Sequence, residues 1–421
     1  MREFEKMNIG QGIDLYVLPT DKFKTVSISY CFHRDLDEYY TYNALVPAVI
    51  RRGCEGYETI QDIESYLERQ YGAIFDVGIQ KKGERHILRF SMDIVNDNYI
   101  PNGDTAVVAQ AFYFLNRIIT KPVVEGRGFK AEYVEQEKEN LRNRIEGLIN
   151  DKMAYSIERC IQLMCEGEKY SRYVYGSVDD IDAIDNVNLY DVYRDILATS
   201  PLDIFVIGDV DSLKLKTILE NSLDVKRGAI KTIPETVIKK VGIKPREYVE
   251  RMNITQGKLN MGFRTNILYT EDDYYPLMVC SSVLGGGPHS KLFINVREKS
   301  SLAYYAFSQL EKFKGLMLVG AGIDFDNYDQ TIKIVNKQLE DIREGIISDK
   351  ELDASKKSII TALKGIKDQP GQIIDYYLGN VISGSRKTID EVIESVNVVE
   401  REDVARVCNK IKLDTIYFLR N

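Results

Sequence analysis

Apolar and polar residues alternate with a period near two over residues 12–19 (GIDLYVLP) and 24–32 (KTVSISYCF), which predicts strands at the start of the chain. The same alternation returns at 247–254 (EYVERMNI) and 257–265 (GKLNMGFRT). Each strand pair is followed by a short apolar helix, YNALVPAVIRRG at 42–53 and YYPLMVCSSVLGGG at 274–287. An amphipathic helix running into strands comes next, at 63–94 in one place and 292–323 in the other, where the period changes from 3.6 to 2.

The correspondence continues to the end of the chain. Charged helices are predicted over 131–151 and 349–368, further helices over 177–196 and 388–411, and closing strands over 202–210 and 414–421. Landmarks in one order, repeated at a shift of roughly 200 to 240 residues, are the mark of an internal duplication. Helices mixed with antiparallel-style strand pairs, without regular βαβ alternation, predict an α+β fold present twice, each copy a largely antiparallel sheet packed with helices. The predicted boundaries are an N-terminal domain at 1–225, a linker at 226–247 and a C-terminal domain at 248–421. The linker is read from KRGAIKTIPETVIKKVGIKPR at 226–246, rich in Gly, Pro and β-branched residues.

The length of 421 residues agrees with two domains of about 200 residues each. No stretch approaches the roughly 20 uncharged apolar residues of a membrane span, so a membrane protein is not expected. A net charge of −8 lacks the basic excess of a general nucleic-acid binder. The first twenty residues are acidic in part and hold neither an apolar core nor a small-residue cleavage site, so an export signal is not expected. Six scattered cysteines without a CxxC pair read as reduced thiols of a cytoplasmic protein.

The duplicated layout resembles the pitrilysin/insulinase family of zinc peptidases, which includes mitochondrial processing peptidase. The sharpest match is GGGPHSKLF at 285–293, running through Val296, Arg297, Glu298 and Lys299 to Leu302, Ala303 and Tyr304. It looks like the family's second-half pattern of a Gly-rich turn, S-[RK]-L-F, R-E-K and L-A-Y. VIGDVDSLKLKTILENSL at 206–223 and Tyr175-Gly176 are further matches.

Active members carry H-x-x-E-H on a helix, where two histidines share a face and bind zinc while the glutamate acts as base. The resemblance places that motif on residues 44–48, where Ala44, Pro47 and Ala48 stand instead. Aligning the family's E-x-E-K with residues 135–138 places the third ligand at Arg144, a cation in place of a carboxylate. The only histidines are His33, His86 and His289, none near another in sequence. The chain is therefore expected to bind no metal and to be no enzyme on its own. Pro47 inside a helix further predicts a late start or a kink.

In the family's divided-labour pairs, a non-catalytic subunit contributes an Arg and a Tyr that bind peptide carbonyls or the tetrahedral intermediate; the matching positions are Arg297 and Tyr304. If the alignment is one residue out, Tyr305 takes the place of Tyr304. The resemblance thus implies a subunit of a heterodimeric peptidase, with zinc held by an H-x-x-E-H-bearing partner and a peptide as shared substrate. The alternative is self-association, or a peptide-holding scaffold with no part in proteolysis.

Overall fold

The protein is described from a computed structural model that covers residues 4–100, 106–238 and 244–421. In chain order the first elements are β1 (Glu5–Gly10), β2 (Ile13–Pro19), β3 (Thr25–Asp35), α1 (Tyr40–Ile50), α2 (Ile60–Arg69), β4 (Ile74–Lys82) and β5 (Arg85–Val95). They continue with α3 (Val107–Thr120), the two-residue strands β6 (Val124–Glu125) and β7 (Gly128–Phe129), α4 (Ala131–Gly147) and α5 (Lys152–Met164). After α6 (Val178–Ile181), α7 (Asn186–Thr199), β8 (Leu202–Gly208) and α8 (Ser212–Ser222), the chain reaches β9 (Arg246–Arg251) and β10 (Gly257–Arg264). The rest comprises α9 (Tyr274–Gly285), β11 (Ala303–Glu311), β12 (Leu316–Ile323), α10 (Tyr328–Arg343), α11 (Asp349–Ile366), α12 (Pro370–Ser383), α13 (Ile389–Asn397), α14 (Arg401–Cys408) and β13 (Lys412–Arg420).

Local sequence sets many of these limits. Thr59 and Asp62 form a capping box that starts α2, and Ser348 with Glu351 does the same for α11, each satisfying amides that a helix start leaves unpaired. The Asp151 carboxylate accepts from the Met153 and Ala154 amides and starts α5. Pro370 stands in the first turn of α12, and Gly384 ends that helix in the left-handed region with φ 74°.

One six-stranded sheet has the order β1-β2-β8-β3-β5-β4, and a five-stranded sheet has the order β11-β12-β10-β13-β9. Taken from its other edge, the second runs β9, β13, β10, β12, β11 and matches β2, β8, β3, β5, β4 of the first. In both, the first pair is parallel and the remaining pairs are antiparallel. The α+β duplication expected from the sequence pattern is therefore present in strand order and strand direction.

The chain divides into two compact units, Met1–Gly147 with Arg172–Glu235, and Leu148–Ser171 with Thr236–Asn421. Residues 148–171 thus leave the 1–225 segment of the sequence reading and join the second unit. The reason is packing: Cys160, Ile161, Met164, Cys165 and Tyr170 form one buried cluster with Leu316 and Leu318 of β12 and Tyr417 and Leu419 of β13. Gly262 of β10 lets α5 come this close, since a Cβ there would lie 2.6 Å from Met164 Sδ. The predicted linker is split as well. Lys231 pairs with Asp195 at 2.8 Å, Arg227 donates to the Gln11 carbonyl at 3.0 Å, and both contacts hold 226–235 to the first unit. Residues 239–243 lie outside the described residues.

In each unit a buried basic side chain bonded to a carboxylate joins the central strand to the closing strand. Phe32 faces Leu202 across β3 and β8, and Phe263 faces Leu413 across β10 and β13. The next residues in each strand form the pair: His33 with Asp203 at 2.8 Å in the first sheet, Arg264 Nε with Asp414 at 3.0 Å in the second. Arg264 also donates to both Glu168 oxygens, at 2.7 and 3.1 Å, and to the Met164 carbonyl at 2.8 Å. Lys314, fully buried, reaches Glu168 at 2.9 Å. Arg264 is 1% exposed, so its charge depends on these acceptors.

Arg264→Met is accordingly expected to destabilise the chain by about 3–5 kcal/mol in denaturant unfolding, with Arg264→Lys recovering part of the loss. Unchanged stability in Arg264→Met would show that the network does not hold residues 148–171 in place.

Candidate functional site

The helix that the sequence reading aligned with the zinc motif is α1, buried along most of its length. It does not start late: it begins at Tyr40 and continues through Pro47, which stands inside it. Having no N–H, Pro47 leaves the Asn43 carbonyl without its usual donor four residues on. The Asn43 side chain is itself fully buried, with no hydrogen-bond partner for either amide atom among the described residues.

Ala44 and Ala48 are four residues apart and share one face of α1. Because both side chains are a single methyl, the space beside them is not filled. A cleft of about 420 Å³ lies there, lined by Ala44, Pro47 and Ala48, by Glu137, Asn140 and Arg144 of α4, and by residues 76–79 of β4. The four positions singled out from sequence, Ala44, Pro47, Ala48 and Arg144, thus meet around one cavity.

Sequence reasoning did not identify the remaining walls. Arg51 and Arg52, at the end of α1, also line the cleft. Arg52 pairs with Glu137 at 3.2 Å and lies 5.2 Å from the Tyr133 ring centre. The Arg144 guanidinium sits over the Tyr175 ring at 4.6 Å. The only signals in the sequence were the Arg-Arg pair after the motif position and the Tyr175-Gly176 match. The acidic residues of α4 outside the cleft form surface pairs, Glu135 with Lys138 at 3.0 Å and Glu139 with Arg142 at 3.8 Å.

Zinc is held by imidazole, thiolate and carboxylate. Ala44, Pro47 and Ala48 offer none of these, Glu137 is engaged by Arg52, and Arg144 would repel a cation. Among the described residues no group of three His, Cys, Asp or Glu converges anywhere. The residues present do not fit the metal.

The three histidines lie elsewhere. His33 is paired with Asp203 inside the first sheet. His86 is fully enclosed on β5, and burial pushes its imidazole down to about 4, which keeps it neutral near pH 7. His289 follows the Gly-rich turn, its Nε2 lying 3.4 Å from Ser282 Oγ, and burial lowers its basicity as well. That turn ends α9: the Gly286 amide bonds back to the Ser282 carbonyl at 2.9 Å. At Gly285 an added Cβ would lie 2.3 Å from the Ser308 amide nitrogen of β11, so the helix end and that strand are in close contact.

Arg297 lies on a π-helical turn, Phe293–Glu298, where the sequence pattern predicts an ordinary amphipathic helix. It is half exposed, 3.7 Å from Glu298, and its guanidinium lies 4.7 Å from the Phe293 ring centre. Tyr304 is the second residue of β11 and is 62% exposed; its hydroxyl reaches Asp324 at 3.4 Å. Its neighbour Tyr305 is half buried beside Phe307, and burial raises its hydroxyl to about 12. Of the two tyrosines, Tyr304 is therefore the one whose hydroxyl is open to solvent.

Residues 184–359 match the family description "Peptidase M16 inactive domain". The chain is 34% identical over 410 residues to the Bacillus subtilis protein "Probable inactive metalloprotease YmfF", covering 97% of this chain and 96% of that one. Among solved structures, a conserved protein from Enterococcus faecalis superposes with a TM-score of 0.91 at 31% identity, covering 100% of this chain and 99% of that chain. A Helicobacter pylori protease shares the fold with a TM-score of 0.86 at 15% identity, each chain fully covered.

Replacing Ala44→His, Pro47→Glu and Ala48→His together is expected to give no stoichiometric zinc by elemental analysis, because Arg144 still places a cation on the same cavity. Adding Arg144→Glu is expected to allow zinc uptake. Stoichiometric zinc in the triple variant would show that Arg144 is no obstacle.

Proposed function

The chain belongs to the M16 peptidase family, the pitrilysin/insulinase peptidases, and we propose that within it this protein holds peptides without cutting them, as the non-catalytic subunit of a heterodimer. Its partner in this reading is a relative that retains H-x-x-E-H and carries the zinc. The observation that carries the reading is the α1–α4 cleft. It runs beside β4, the outermost strand of its sheet, while its residues are unsuited to a metal.

An edge strand has backbone N–H and C=O groups on its outer side that no neighbouring strand of the sheet takes up, and an extended peptide satisfies them by adding as a further strand. β4 has nine residues, of which 76–79 border the cleft, so both backbone pairing and side-chain pockets are available. Affinity would come from the backbone and selectivity from the cleft.

Arg297 and Tyr304 supply the second part of the proposal. Both have exposed side chains on the second unit, consistent with contact to a peptide at the partner's zinc rather than with a role in the core. A fixed cation and a phenolic donor are suited to an oxyanion that develops during hydrolysis. The described residues contain no helix long and apolar enough to cross a membrane. Six buried free thiols suit a reducing compartment, and we place the pair in the cytoplasm.

Purified alone, the chain is expected to show neither zinc nor cleavage. Co-expressed with an H-x-x-E-H relative, it is expected to co-purify, and Arg297→Ala or Tyr304→Phe in the complex should lower peptide turnover by roughly 10²–10³-fold, the usual loss for one oxyanion donor. Unchanged turnover with either variant would remove that role. Exclusive self-association, with no such partner, would favour a scaffold.

A further inference from the structure

The charges around the α1–α4 cleft are not balanced. Arg52 is neutralised by Glu137 at 3.2 Å. Among the described residues, Arg51 and Arg144 have no carboxylate partner, although both line the cavity. The remaining acid of the lining is Asp76, an exposed residue of β4. Phe75 belongs to the core beneath the helices, and alternation along the strand sends the Asp76 side chain to the other face of the sheet. The helix side of the cleft therefore holds two uncompensated cations.

Arg144 is also set in place. Its guanidinium carbon sits over the Tyr175 ring, 4.6 Å from the ring centre, a cation–π contact that uses none of its N–H donors. A planar fork held in this way is matched to a carboxylate, which accepts two parallel hydrogen bonds. The small side chains of Ala44 and Ala48 leave room for an incoming group opposite it. Where a zinc peptidase would gather carboxylate and imidazole around a cation, this chain gathers cations around an empty space suited to an anion.

We infer that the cleft is a specificity site for an acidic side chain, Asp or Glu, of an extended peptide, with Arg144 as principal counter-ion and Arg51 as the second. The inference rests on the reading that β4 takes a peptide as an added strand. It concerns an internal side chain rather than a terminal carboxylate. The cleft borders residues 76–79, the middle of a strand spanning Ile74–Lys82, so a paired peptide continues past it in both directions. Alternation in the peptide then directs every second side chain towards the helices, and one of these meets Arg144.

The test uses the full chain and fluorescent nine-residue peptides with blocked ends, identical except for one position that carries Glu, Gln or Lys and is moved along the peptide. Glu at a favoured position is expected to bind roughly tenfold more tightly than Gln at low salt, the scale of one charge-assisted hydrogen bond. Arg144→Gln, an exposed helix position, should keep the thermal midpoint and abolish the preference, and Arg144→Glu should turn it towards Lys. Equal affinity for Glu and Gln peptides would overturn the inference while leaving the peptide-holding reading intact. A second set with the same sequences and free C-termini is run beside the blocked peptides, and binding by that set alone would overturn the inference in favour of terminal capture. Failure of every peptide to bind would overturn the peptide-holding reading, and the inference with it.

Discussion

Arg264 is a fully buried cation, and a cation there requires acceptors on all sides. Asp414 supplies one from the closing strand and Glu168 supplies two from the turn after α5, so three distant parts of the sequence are tied at one point. The dependence is mutual and greatest for Asp414, which is nearly as buried as Arg264, while Glu168 is partly exposed and also held by Lys314. In the first unit the corresponding pair is His33 with Asp203, in the same register beside a Phe–Leu neighbour pair. The duplication has thus kept an electrostatic joint at the centre of each sheet while its chemistry diverged. The joint lies between β3 and β8 in one sheet and between β10 and β13 in the other, away from the edge strands β4 and β11.

The edge is where the function is proposed. β4 stands at the end of its sheet, and the adjoining α1–α4 cleft has changed character through a few side chains. Two alanines leave space where ligands would stand, a proline removes the place for a base, and an arginine reverses the sign of the site. These changes reinforce one another: with a cation already present, recovering one ligand gives little, and without ligands the cation has no metal to oppose. A site altered in this way need not be vestigial, since the space and the edge strand persist and the local charge favours a different class of group.

Much of this was legible in the sequence. Alternation located the strands β2, β3, β9 and β10, and the order of landmarks revealed the repeat, because both depend on local side-chain periodicity. The motif positions Ala44, Pro47, Ala48 and Arg144 could be placed by resemblance, and they share a cavity. The assignment of α5 was not legible: nothing local shows that Cys160 and Met164 lie against β12 and β13, more than a hundred residues away. Edge position was equally hidden, since strand order is set by long-range pairing. Arg52 and Glu137 are 85 residues apart, so their neutralisation, and the resulting isolation of Arg51 and Arg144, required the folded chain. Pro47 did not delay the start of α1, which runs from Tyr40 through the proline with buried residues on both sides of it.

The central claim, that this chain grips an extended peptide along β4 without cutting it, is tested most directly by amide hydrogen exchange of the full chain with excess peptide, followed by the intact mass of that peptide. Slowed exchange within Ile74–Lys82, together with a peptide of unchanged mass, is the expected result. Unaltered exchange along β4, or a cleaved peptide accompanied by stoichiometric zinc in the purified chain, would contradict it.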